Sequence, residues 1–235
     1  MEFEQPQMEL TGPRPLNLRV EPVQDDKPEV VSLKSNLSQE EELELLKESF
    51  EILLFNMDSL FLIIMGSLII LMQAGFGFLE AGSVRAKNTT NILIKNYADL
   101  CFGSMAFWFL GYGLAFGEGN GFIGYTHLFA LDLLFQDYAM LFFQCTFAAT
   151  CATIVSGAIA ERCNFNGYVI FSILITGVTY PMAAHWCWGP YGWLGQLGFR
   201  DFAGSGVVHL SGGVCALVGM RRPWQWQGLL MMKPH

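Results

Sequence analysis

The chain has 235 residues, of which 52% are hydrophobic and only 14% charged, with a formal net charge of -8. Soluble domains carry about 25% charged residues, so the composition is that of a membrane protein. The acidic balance belongs to one end: residues 1–58 hold five Lys/Arg and fourteen Asp/Glu, whereas 59–235 hold eight and seven. Neither part has the basic patch of a nucleic-acid binder. No nucleophile–base pair, phosphate-cradling loop or metal-ligand spacing is present, so no enzyme, cofactor or metal is expected. The six cysteines lack CxxC spacing and read as small buried hydrophobes.

Residues 1–58 are expected to form an acidic tail, disordered through its Pro- and Glu-rich first 35 residues. Ser38-Gln-Glu-Glu41 is a capping box opening a short amphipathic helix near 38–55. Nothing after Met1 resembles a signal peptide, so targeting is expected from the first span. Five membrane spans follow: Asp58–Leu79, then roughly 97–116, 135–160, 167–187 and 202–220, each close to the 20 residues a bilayer requires. Residues 81–96 read as a polar loop, 117–134 as an acidic one, and 188–200 as a turn rich in Gly and Trp. Loops 81–96, 161–166 and the segment after Met220 hold Arg85, Lys87, Lys95, Arg162, Arg221, Arg222 and Lys233; the opposite loops hold only Arg200. The basic loops are therefore placed in the cytoplasm and the N-terminus outside. Asn36-Leu-Ser38 is then a usable glycosylation sequon.

His209 puts an ionisable imidazole in the middle of the fifth span, where it is expensive unless it faces protein or a water-filled path. On helical spacing Ser205, His209, Gly212 and Ala216 share one face. Two readings stay open for it: a satisfied buried histidine, or a group lining a path. Phe143 and Phe147 are i and i+4 in the third span, which suits ordinary packing or an aromatic constriction able to face a cation. The tryptophans of His185-Trp-Cys-Trp188 suit a membrane belt or a cation-holding mouth. Asp201, just before the fifth span, is placed to cap it. Glu80, Arg85, Glu161 and Arg162 read as interfacial pairs.

Four stretches carry a resemblance: Glu80-Ala-Gly-Ser-Val-Arg-Ala-Lys-Asn88, Gly111-Tyr-Gly-Leu-Ala-Phe-Gly-Glu-Gly-Asn120, Gly157-Ala-Ile-Ala-Glu-Arg162 and Asp201-Phe-Ala-Gly-Ser-Gly-Val-Val-His-Leu-Ser-Gly-Gly213. Over about 59–219 the chain resembles the ammonium transporter (Amt/Mep) family, related to the Rh glycoproteins. The resemblance implies an all-α membrane protein whose five spans form the first half of an eleven-helix inverted-repeat fold. It implies passage of ammonium or ammonia through a pore in each subunit of a homotrimer, in the plasma membrane. By the same resemblance Trp188 and Phe143 belong to the outer recruitment site, Phe147 to the phenylalanine gate, Asp201 to the vestibule scaffold and His209 to a pair of pore histidines. The family has eleven spans, so 59–220 is expected to be a truncated membrane domain and 221–235 a divergent cytoplasmic tail. Such a half is expected either to conduct ammonium once completed or to join full-length subunits as a non-conducting regulator.

Overall fold

A computed structural model describes residues 38–135 and 137–221. The tail expected to be disordered, the Asn36 sequon and the segment after Arg221 expected to diverge lie outside the described residues.

The chain divides into two compact units, residues 1–52 and 53–235. In the first, the capping box closes as expected. The Glu41 amide donates to Ser38 Oγ (3.4 Å) and the Ser38 amide donates to Glu41 Oε2 (2.8 Å). The helix that starts here is not a separate short one: it belongs to a single 45-residue helix, α1, Gln39–Ser83. No Pro interrupts the apolar run after it, and its glycines, Gly66, Gly75, Gly77 and Gly82, are tolerated within the helix, which runs to Ser83.

The second unit is a helical bundle. Besides α1 it contains α2 (Ala86–Phe116) and α3 (Asp137–Ile159). In α4, Phe165–Leu174 continues through Ile175–Thr179 into Tyr180–Trp188. A short α5 (Trp193–Gln196) and α6 (Ser205–Met220) complete it. Four helices are long and apolar enough to cross a membrane, and α6 is a shorter apolar one. Helix α3 is apolar on all sides and is the centre of the bundle. Its Ala148, Cys151, Ala152 and Val155 are buried with Phe107, Tyr112, Tyr168, Tyr180, Val207 and Val208. Small residues on α3 let its neighbours approach closely.

The expected polar loop 81–96 is largely helical. Helix α1 runs to Ser83, and Thr89–Ala98 is regular α-helix with Ile92, Lys95 and Asn96 buried. The actual connection is only a few residues around Arg85. The loop reading failed because Lys95 and Asn96 look like surface residues until their partners are known. Lys95 Nζ donates to the carbonyls of Ala160 (3.1 Å) and Cys163 (2.7 Å).

Helices α3 and α6 run side by side in the same direction. A Cβ on Gly212 would lie 3.0 Å from the Cys151 carbonyl oxygen and 3.1 Å from Ile154. Seven residues on, Gly219 faces Ile159. A larger residue at the first of these approaches would force α3 and α6 slightly apart.

Candidate functional site

The loop 117–134 is built on Asn120. Its Oδ1 accepts from the Phe122 (2.8 Å) and Ile123 (3.0 Å) amides, which turns the chain back on itself as Asx side chains do. Helix α4 grips this loop at its end. The His185 ring, fully buried, sits with Nδ1 2.9 Å from the Ala115 carbonyl and Nε2 2.7 Å from the Asn120 carbonyl. Trp186 Nε1 donates to the Phe122 carbonyl (2.9 Å), and its ring lies 6.2 Å from that of Trp193, which stacks on Phe122. Trp186 and Trp193 thus hold a loop.

Trp188 stands one helical step beyond this anchor. Its ring centroid is 6.3 Å from Phe147, and Phe147 meets Phe143 edge to face at 4.9 Å. The three rings are partly buried and form one contiguous aromatic group on α3 and α4. The α6 entry turn closes it from the side. Gly204, in the left-handed region at φ 76, faces the Trp188 ring, and a Cβ there would come within 3.5 Å of Trp188 Cη2 and 2.8 Å of Val208 Cγ2.

Asp201 fixes that entry turn. Its Oδ1 accepts from the Gly206 amide (2.7 Å) and Ser205 Oγ (3.1 Å), and its Oδ2 from the Val207 amide (3.1 Å). The carboxylate therefore occupies the amides at the start of α6, where the helix dipole favours a negative charge.

The first turn and a half of α6, Ser205–Leu210, is a π-turn. The His209 amide bonds back five residues, to the Gly204 carbonyl at 3.1 Å. That wider turn breaks the i, i+4 face expected for Ser205, His209, Gly212 and Ala216. Gly212 and Ala216 are buried against α3, whereas Ser205 and His209 are exposed. The His209 imidazole has no hydrogen-bond partner among the described residues. Depth follows from the α3–α6 pairing. Trp188 links Phe147 to Gly204, while Gly212 faces Cys151 and Ile154. His209 therefore lies one to two turns further along the bundle than the aromatic group.

Of the four charged residues read as interfacial, Arg85 and Glu161 do pair. Arg85 Nε lies 3.0 Å from Glu161 Oε2, and Glu161 also accepts from the Arg85 amide (2.9 Å) and Asn88 Nδ2 (2.8 Å). These bonds, the Arg85 side chain first, hold the Glu161 carboxyl down at about 2. Glu80 instead is buried. It accepts from Ser156 Oγ (2.5 and 2.7 Å) and Asn96 Nδ2 (2.6 Å). Around it lies a buried polar cluster of Gln73, Asn96, Asp99, Thr153, Tyr168 and Ser172. The sequence reading overlooked this cluster. Its signal was the pair of charges Lys95 and Asp99 four residues apart beside an apolar run.

The chain matches the family model described as Ammonium Transporter Family over residues 60–221. It is 41% identical over 174 residues to Ammonium transporter 1 member 3 of Solanum lycopersicum, covering 70% of this chain and 38% of that protein. It is 43% identical over 190 residues to Ammonium transporter Amt2 of Archaeoglobus fulgidus, covering 75% and 40%. Among solved structures it is similar to a Sensor Amt Protein (TM-score 0.67, 39% identity, 69% of this chain and 43% of that one). It is also similar to Mep2 of Candida albicans (TM-score 0.64, 30% identity, 68% and 37%). The chain thus spans about two fifths of the length of these relatives, and on the family match, the relatives and the helical bundle together it belongs to the ammonium transporter family.

Proposed function

We propose that this chain supplies half of the wall of an ammonium-conducting pore. Ammonium is recruited at Trp188 and Phe143, passes the Phe147 ring and then meets His209. The observation that carries this reading is the Phe143–Phe147–Trp188 group with, further along the bundle on α6, an exposed imidazole that has no partner among the described residues. Aromatic faces attract a cation by about 0.5–2 kcal/mol each and do nothing comparable for neutral solutes. An imidazole in an otherwise apolar span offers the next hydrogen bond. Asp201 acts as scaffold: its oxygens hold the turn that places Gly204 against Trp188. In this reading the protein is a homotrimer of the plasma membrane with its N-terminus outside.

The test uses the chain completed by the remaining segment of the Archaeoglobus relative, recording ammonium current against concentration at matched surface expression. Trp188→Ala is expected to raise the half-saturating concentration about 2- to 30-fold, the equivalent of 0.5–2 kcal/mol, with little change in maximal current. His209→Ala is expected to change maximal current or selectivity over potassium instead. Unchanged curves for both variants would overturn the proposal.

A second reading rests on the share of the relatives that this chain covers, 38% and 40% in the two cases above. Alone, it joins full-length subunits and lowers their conduction. Co-expression with a full-length relative tests this, since a regulator reduces the partner's ammonium uptake and an inert chain leaves it unchanged.

A further inference from the structure

The buried polar cluster inside the bundle is built from four helices: Gln73 on α1, Asn96 and Asp99 on α2, Thr153 on α3, and Tyr168 and Ser172 on α4. Gln73 Nε2 donates to Thr153 Oγ1 (2.5 Å) and to the Asn96 carbonyl (3.3 Å). Asp99 Oδ2 takes hydrogen bonds from Tyr168 Oη and Thr153 Oγ1. Asn96 Nδ2 is spent on Glu80 and on the Ile92 carbonyl. Both amide nitrogens being used, what remains is a set of oxygens. Gln73 Oε1 and Asn96 Oδ1 are buried without a hydrogen-bond partner, and the equally buried Asp99 Oδ1 and Ser172 Oγ have none beyond the contact between the Ser172 hydroxyl and the Asp99 carboxyl. Asp99 is 0% exposed, Ser172 1%, Asn96 5% and Gln73 8%. Among the described residues only Trp193 Nε1 shares that condition elsewhere. Orphaned buried polar atoms are rare in folded proteins, and under-satisfied oxygens gathered around one hydrogen-bonded network require a common cause.

The charges point the same way. Glu80 and Asp99 carry two carboxyls, and Lys95 supplies one ammonium, already committed to two backbone carbonyls and the face of Tyr168 (5.4 Å). With both carboxyls ionised, one formal negative charge is left over, in surroundings where an uncompensated charge is costly.

We propose that these oxygens bind one small monovalent cation, sodium or ammonium, inside the bundle and away from the aromatic mouth. Thr153 is ten residues beyond Phe143 on α3, a separation of about 15 Å along the helix. Carboxylate, amide and hydroxyl oxygens are hard ligands suited to such an ion. An ammonium ion offers four donors to acceptors that lack one, and sodium offers its charge to the same oxygens. With one left-over negative charge, a monovalent ion balances the site where a divalent one would leave a positive excess. A water molecule supplies two donors and leaves the negative charge in place. The nearest open space is a cavity of ≈ 500 Å³ lined by Glu80, which bonds Asn96, with Phe76, Ile154, Gly157 and Glu161.

The test is performed on the full chain in lipid nanodiscs and needs no transport. Radioactive sodium binding is measured at equilibrium, with ammonium and choline as competitors. Thermal melting is compared in sodium, ammonium and choline chloride at one ionic strength. Expected are saturable binding near one ion per chain and a melting temperature that rises with sodium or ammonium but not with choline. Competition by ammonium tells which ion the site prefers. Asp99→Asn, which keeps the size and loses the charge, is expected to weaken binding at least tenfold. Ser172→Ala, a milder change, is expected to weaken it severalfold while leaving a cooperative melt, so the proposal stays testable if Asp99→Asn does not fold. Trp188→Ala is expected to leave binding intact, which separates this site from the recruitment site. Coincident melting curves in all three salts would mean a water or a proton fills the role and would overturn the proposal. So would sodium binding that Trp188→Ala abolishes, or that Ser172→Ala and Asp99→Asn both leave unchanged.

Discussion

Asp201→Ala is expected to loosen the turn on which the aromatic mouth rests. The substitution removes the acceptor of three bonds, from the Gly206 amide (2.7 Å), the Val207 amide (3.1 Å) and Ser205 Oγ (3.1 Å). Loss of an N-cap costs about 0.5–2 kcal/mol, and bonds to a charged acceptor stand at the upper end, so about 2 kcal/mol is expected. For a chain of this size that lowers the melting temperature by about 4–8 °C. Asp201→Asn keeps one acceptor oxygen and the same shape, so about half that loss is expected, roughly 2–4 °C. The assay is thermal unfolding of the purified chain in detergent, followed by tryptophan fluorescence, which also reports on Trp188. The two variants separate capping from charge. If Asp201→Ala melts within about 1 °C of the parent, or if Asp201→Asn is as damaging as Asp201→Ala, capping is not what the carboxylate does.

The apolar architecture was legible in the sequence because bilayer thickness fixes span length and apolar runs report it directly. The capping box at Ser38 was legible too, since it is local and both partners lie within four residues. Two things were not. The π-turn at Ser205–Leu210 leaves no trace in residue type, so a face drawn at 3.6 residues per turn placed His209 with Gly212, whereas the wider turn swings it out. The buried cluster was hidden for a different reason. Lys95, Asn96 and Glu80 look like interfacial residues one at a time. Their burial depends on Ser156 and the Ala160 and Cys163 carbonyls, which lie some sixty to eighty residues away in the chain. Long-range satisfaction of polar groups has no local pattern to read. The aromatic group lies between these cases. The spacing of Phe143 and Phe147 put them on one face, but only the fold brings Trp188 to them.

Three further outcomes follow from named contacts. Gly204→Ala is expected to cost at least 1 kcal/mol for its left-handed backbone and to push Val208 or the Trp188 ring aside, giving a lower melting temperature and a shifted tryptophan emission; an unchanged spectrum would show that Gly204 does not position Trp188. Glu80→Ala is expected to cost about 3 kcal/mol, because Ser156 Oγ and Asn96 Nδ2 lose a buried acceptor; thermal melting checks it, and a loss below about 1 kcal/mol would show that these donors find other partners. The last outcome concerns pH and the turn that joins α1 to α2. Bonds from the Arg85 side chain, the Arg85 amide and Asn88 hold Glu161 at about 2, against an ordinary 4.5. A depressed carboxyl stabilises the folded state above its unfolded value and loses that contribution as pH falls through the folded value. The contribution of this pair is therefore complete above about 4.5 and drains away between 4.5 and 2. Arg85→Ala removes the largest of these bonds and lets the carboxyl return toward its ordinary range. The melting temperatures of parent and variant should then differ at pH 6–7 and converge as the pH is lowered toward 2. Because the Arg85 side chain is 66% exposed, the gap should be small and should narrow further in about 1 M salt, where the screening length falls to about 3 Å. A gap that stays constant from pH 7 to pH 3 would show that Arg85 supports the turn by packing alone.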